Sequence, residues 1–119
     1  MNACARWRVL QRHAKCPGDL VARYGGEEFA ILLANTDHAG ARALAEEVRS
    51  ALIALALPHQ GNPAGIVTVS IGLHVVAAPD EHVAATRLVE LADQALYAAK
   101  AAGRNRVCEA QEAEAARCA

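Results

Sequence analysis

Two short apolar runs, Leu20-Val21-Ala22-Arg23-Tyr24 and Phe29-Ala30-Ile31-Leu32-Leu33, are separated only by Gly25-Gly26-Glu27-Glu28. A glycine pair between runs this short argues against a helix. It supplies the positive φ that a tight turn needs, so the segment reads as a β-hairpin. A lone hairpin is marginally stable in water. The rest of the chain must therefore cover it or extend its sheet, and 119 residues suffice for one domain with one modest core.

The remaining periodicities supply those layers. Residues 5–14 read as a short helix with Val9, Leu10 and Ala14 as candidate buried positions, ended by the turn Pro17-Gly18-Asp19. Asn35-Thr36-Asp37 offers N-caps for a helix whose stripe is Leu44, Val48, Leu52 and Leu55, stopping before Pro58. Residues 66–76 alternate, with Val67, Val69, Ile71, Leu73 and Val75 on one side, and predict a strand covered on that face. Residues 77–82 read as a loop. A second helix is predicted over 84–102, with Leu88, Leu91, Ala92, Ala95, Leu96 and Ala99 as its stripe and Gly103 as its C′ residue. A last short strand begins near Val107, and the Ala/Glu-rich residues 109–119 read as a frayed tail or loose helix. The order implies an α/β sandwich, helices on a largely antiparallel sheet.

Bulk chemistry narrows the partners. A formal net charge of −1 gives no support for binding nucleic acid. Cys4, Cys16, Cys108 and Cys118 form no CxxC pair and read as free thiols in a reducing compartment. The five histidines form no HExxH pattern, and a single histidine in a strand, His74, reads as a packed or rim residue. Residues 50–79 carry no Asp, Glu, Lys or Arg, but Pro58-His59-Gln60-Gly61-Asn62-Pro63 cuts the run into pieces too short to span a membrane. No secretory signal is expected in the N-terminal residues, and a cytoplasmic location is the default.

Two local constellations carry chemistry. Glu27 and Glu28 are adjacent at the hairpin tip, where like charges repel and call for a cation. Their hard oxygens suit Mg²⁺ or Mn²⁺. Gly25 and Gly26 let a ligand approach the backbone closely. An ordinary exposed tip with solvated acids has the same residues. Lys100, in the last turn of the second helix, and Arg104, just past its glycine stop, can converge on one anion, Arg as a fork and Lys as a point charge. Favourable interaction with the helix dipole explains the same pair.

Taken together, Arg23-Tyr24-Gly25-Gly26-Glu27-Glu28-Phe29, Thr68-Val69-Ser70-Ile71-Gly72 and the run from Asp93 to Asn105 resemble, in order and spacing, the GGDEF domain of diguanylate cyclases in its Gly-Gly-Glu-Glu-Phe form. The resemblance implies a nucleotidyl-cyclase palm-like fold and the condensation of two GTP molecules to cyclic di-GMP, catalysed by a homodimer. It implies Glu27 as metal ligand, Glu28 as the catalytic carboxylate supporting the attacking hydroxyl, Gly25 and Gly26 against the nucleotide, and Lys100 and Arg104 on the terminal phosphates.

Residues 19–108 correspond to the C-terminal portion of that domain, residues 1–18 to a partial helix and turn, and 109–119 to the tail. The family's opening strand and helix, with a metal-binding Asp, a Phe-Lys pair and the guanine-reading Asn and Asp, find no match. The absent strand is expected centrally, beside the hairpin. The family's inhibitory product site uses Arg-x-x-Asp. Here Cys16-Pro17-Gly18-Asp19 retains only Asp19, and Glu47 stands where a second arginine is often found. The alternative to an incomplete cyclase is a degenerate module that holds nucleotide without turnover.

Overall fold

The computed structural model describes residues 2–14, 16–25, 27–76, 85–111 and 114–118. Its elements are α1 (Asn2–His13), β1 (Leu20–Gly25), β2 (Glu28–Leu32), α2 (His38–Ala54), β3 (Ile71–Leu73), α3 (Ala85–Ala101), β4 (Val107–Gln111) and β5 (Glu114–Cys118). The loop expected over 77–82 and the expected first residue of α3, Ala84, lie outside the described residues.

The hairpin forms as expected, with Leu20 opposite Leu32 and a bulge between Arg23 and Gly25. The other three strands make a second sheet in the order β3-β4-β5, with β3 parallel to β4 and β4 antiparallel to β5. Among the described residues no ladder joins the two sheets.

Both helix ends follow from their sequences. The Asp37 carboxylate accepts the Gly40 N–H at 2.7 Å and caps α2. At the end of α3, the Arg104 N–H donates to the Ala99 carbonyl at 2.9 Å and the Gly103 N–H to the Lys100 carbonyl at 3.4 Å, with Gly103 at φ 120°. That bond pattern is a Schellman motif with Gly103 at C′.

The β3–β4 pair is sandwiched. On one face, Val9 of α1, Val48 and Leu52 of α2 and Val67 form a buried cluster joined by Val69 and Ile71. On the other, Leu91, Ala95 and Ala99 of α3 pack on Cys108 and Ala110 of β4. Gly72, paired with Cys108, faces α3: a Cβ there would stand 2.1 Å from the Ala92 carbonyl oxygen and 2.3 Å from the Leu96 nitrogen. Only glycine lets helix and strand lie this close.

Several expectations need correction. The ladder spans Ile71–Leu73, not 66–76: Ile66 makes an isolated bridge with Pro58, and Val67, though 1% exposed, bonds to Leu57 rather than to a strand. Alternation records burial of a face. It says nothing of whether a neighbouring strand exists to complete a ladder. The α2 stripe runs through Ala41, Ala45, Val48 and Leu52, while Leu55, at the C-cap, is 47% exposed because the helix has ended there. Residues 114–118 form β5 rather than a helix or frayed tail, because β4 offers an edge to pair with. Cys108 is disulfide-bonded and not a free thiol, in a register that sets the Cα of Cys118 opposite it; Cys16 is free and exposed. Spacing along the chain could not show that register, since it depends on the tail being a strand.

Candidate functional site

Contacts between described residues tie the hairpin tip to the body of the domain. Trp7 of α1 packs on Phe29, ring centroids 6.0 Å apart and planes inclined at 44°. Arg6, the preceding residue, donates to the Glu27 carbonyl at 3.4 Å and stands 3.9 Å from its carboxylate. Lys100, from the last turn of α3, lies 3.3 Å from the Glu28 carboxylate. Residues 72 positions apart are thereby joined, and one member of each constellation singled out from the sequence meets the other.

The two carboxylates are not equivalent. Glu27 occupies the turn with its side chain 85% exposed, and its neighbour is Arg6. Glu28 opens β2, is half-exposed, and its neighbour is Lys100. Adjacent residues entering a strand point to opposite sides, so each acid meets a different cation. The Glu28–Lys100 pair is partly exposed on both sides and such pairs are individually weak, which leaves both groups able to exchange partners for a ligand.

Gly25 ends β1, and a Cβ built on it would meet nothing within 4 Å. Gly25 is therefore uncrowded, in contrast to Gly72. Gly26 lies outside the described residues. Arg104 is exposed one residue beyond the Schellman glycine, at φ 64°.

Asp19 stands at the other end of β1 from the tip. Its carboxylate accepts from the Cys16 N–H at 3.2 Å and from the Ala34 N–H at 3.0 Å, tying the turn before β1 to the chain leaving β2. Both oxygens are occupied by backbone, a structural use of the residue.

As for a divalent cation, Glu27 and Glu28 are hard donors at an open tip. Among the described residues, no group of three or more His, Cys, Asp or Glu side chains gathers to hold a metal. Mg²⁺ is commonly held by one or two carboxylates with substrate phosphates and water. The residues present fit that partial role and not an all-protein cage.

Arg6 and Trp7 were not singled out as site residues by sequence reasoning. One signal was available: the chain has one Trp and one Phe, and they stack on each other. Arg49 and Asn105 were also missed; the Arg49 guanidinium donates to the Asn105 side-chain oxygen at 3.1 Å beside Arg104.

No helix among the described residues is long and apolar enough to cross a membrane. Comparisons with known proteins agree with one another. The family described as diguanylate cyclase, GGDEF domain, matches residues 7–106. Diguanylate cyclase A of Treponema denticola is 43% identical over 89 residues, covering 75% of this chain and 23% of that protein. Diguanylate cyclase DgcM of Escherichia coli K12 is 42% identical over 107 residues, covering 90% of this chain and 24% of that protein. The chain thus spans about a quarter of the length of these relatives. The crystal structure of the GGDEF domain of DgcB from Caulobacter crescentus, in complex with c-di-GMP, superposes with a TM-score of 0.76 at 32% identity, covering 91% of this chain and 62% of that one. With residues 7–106 matched by the family and relatives more than 40% identical, this chain belongs to the GGDEF domain family.

Proposed function

We propose that this chain is the C-terminal portion of a diguanylate cyclase catalytic domain, acting on GTP in the cytoplasm as one half of a twofold pair. The observation that carries the reading is the meeting of Glu28 with Lys100 at 3.3 Å, which unites an acidic hairpin tip and a cationic helix end.

Each residue has a role in that reaction. Lys100 and Arg104 neutralise the terminal phosphates of GTP, Lys as a point charge and Arg as a fork. Gly25 and Gly26 leave room for the nucleotide above the tip. Glu28, released from Lys100 when the phosphates arrive, accepts the proton of the 3′-hydroxyl as that oxygen attacks the α-phosphate of the partner's GTP and pyrophosphate leaves. Glu27 holds the divalent cation, Mg²⁺ or Mn²⁺, which supplies Lewis-acid polarisation of the phosphate when bound.

A second reading, a nucleotide-holding or regulatory module without turnover, is favoured by one feature. The hairpin and the three-stranded sheet are unconnected by any ladder among the described residues, and no third carboxylate joins Glu27 and Glu28. Incubation of the purified chain with GTP and Mn²⁺ separates the two. GTP binding that Lys100→Ala abolishes, with no turnover by these 119 residues alone, would favour the module. Cyclic di-GMP formation that disappears in Glu28→Gln would establish the chain itself as a complete enzyme. Absence of GTP binding in the presence of Mn²⁺ would sink both. Because Asp19 is committed to backbone and Cys16 replaces an arginine, calorimetric titration with cyclic di-GMP is expected to show no submicromolar inhibitory site.

A further inference from the structure

Three consecutive residues after α3 carry positive φ: Gly103 at 120°, Arg104 at 64° and Asn105 at 48°. Glycine adopts such angles freely and asparagine tolerates them, but arginine does so only when its surroundings hold it there. The Schellman bond from Arg104 to Ala99 fixes one side. The other side is fixed from outside the helix. The Asn105 N–H donates to the Ser70 hydroxyl at 3.3 Å, and the Asn105 side-chain oxygen accepts from Arg49 Nη1 at 3.1 Å.

Arg49 is itself clamped. Its Nε and Nη2 donate to one carboxylate oxygen of Glu46 at 3.0 and 2.8 Å, one turn back on α2. The fork is therefore oriented before it meets Asn105, and the guanidinium is largely sheltered, at 24% exposure. A chain of contacts runs from Glu46 through Arg49 and Asn105 to the backbone of Arg104. With the Ser70 bond, it ties the exposed cation to α2 and to the segment that leads into β3.

We infer that Arg49 is a positioning residue for Arg104: through Asn105 it holds the segment 103–105 in the strained conformation that presents the Arg104 guanidinium to an anionic ligand. The inference rests on the reading of Arg104 as a phosphate-binding group. Lysine is not a substitute for Arg49, because a point charge lacks the two-sided fork that serves Glu46 and Asn105 together. Without the tether, Arg104 samples other conformations, and apparent affinity falls with the competent fraction.

Two measurements test this on the full chain. The first is amide hydrogen exchange by NMR. Arg49→Ala should accelerate exchange at Arg104 and Asn105 about tenfold, leaving the buried α3 positions Ala95 and Ala99 unchanged. Unchanged exchange at Arg104 and Asn105 overturns the inference, whether or not nucleotide binds.

The second is GTP binding with Mn²⁺. Arg49→Ala and Arg49→Lys should each weaken it about 5- to 10-fold. The same substitution in an Arg104→Ala background should cost nothing further. A loss of equal size in that background overturns the inference, since Arg49 would then act elsewhere. Asn105 discriminates further. Asn105→Asp keeps the acceptor and should bind as the wild type does. Asn105→Gly keeps the backbone freedom but removes the tether, and should behave like Arg49→Ala; wild-type affinity in Asn105→Gly overturns the proposal. If the wild-type chain binds no GTP, the proposed function fails, while the exchange experiment still decides whether Arg49 holds this segment.

Discussion

The hairpin β1–β2 and the β3–β4 pair are made of similar apolar residues, yet they are held in opposite ways. Around β3–β4 helices cover both faces, and Leu52, Val67, Val107 and Cys108 are all but fully buried. On the hairpin, Leu20, Tyr24 and Leu32 are more than half exposed. Its attachments to the body include a ring contact and polar pairs of modest strength. The candidate site straddles this boundary. Its cations sit at the end of a helix anchored in the core, and its carboxylates sit on the loosely held element. Rigid placement of charge on one side and adaptable placement on the other suits a ligand that must enter between them.

Four experiments break or sharpen this contrast. Gly72→Ala should be the most damaging, because its methyl would overlap the backbone of α3, which cannot move without dislodging one core cluster. A loss above about 4 kcal/mol is expected, seen as failure to show a cooperative thermal transition. A melting curve like that of the wild type would show that the helix–strand contact is looser than the structure has it.

Next comes a matched pair of leucines. Leu52→Ala, at 1% exposure, should cost about 3 kcal/mol in denaturant unfolding. Leu32→Thr, at 57% exposure on the hairpin, should stay within about 0.5 kcal/mol. Equal losses would mean that the hairpin is buried in solution, by a second chain or by another segment.

Trp7→Ala should remove the main apolar attachment of the hairpin. A global loss of about 1–2 kcal/mol is expected. Amide exchange should rise across β1 and β2 and not in β4. Uniform acceleration would instead place the hairpin within the same cooperative unit as the core.

The smallest effect concerns the pair that defines the site. A double-mutant cycle on Glu28→Gln and Lys100→Ala should give a coupling below about 1 kcal/mol in stability, since both side chains are partly exposed. Raised salt should shrink it further. A much larger coupling would mean that the pair is a structural tie, unavailable for exchange with a phosphate.

How much of this was legible beforehand varies from element to element. The hairpin was readable because its signal is local: two apolar runs and a glycine turn. The caps were readable for the same reason, Asp37 at the start of α2 and Gly103 after α3. The stripe of α3 needed only its own period, and Leu91, Ala95 and Ala99 are indeed buried. The strand over 66–76 was over-extended, because a ladder depends on a partner elsewhere in the chain. The reach of α1 to the hairpin was all but invisible, since only the presence of a single Trp and a single Phe hints at the contact between Trp7 and Phe29.

By itself, then, the sequence determined which segments turn, which alternate, which carry apolar stripes, and where acids and bases are concentrated. These are properties of nearest neighbours and of the 3.6- and two-residue periods. Only the tertiary structure decided that β4 lies beside β3, that the tail becomes β5 with Cys108 in a disulfide, that Lys100 meets Glu28, and that Arg49 meets Asn105. Each of these joins groups distant in sequence or depends on such a join. Their meeting is set by how covered faces stack and by which strand edges find partners. At the hairpin tip, that stacking gives Glu27 and Glu28 different cations, a distinction that two adjacent glutamates in a sequence do not carry.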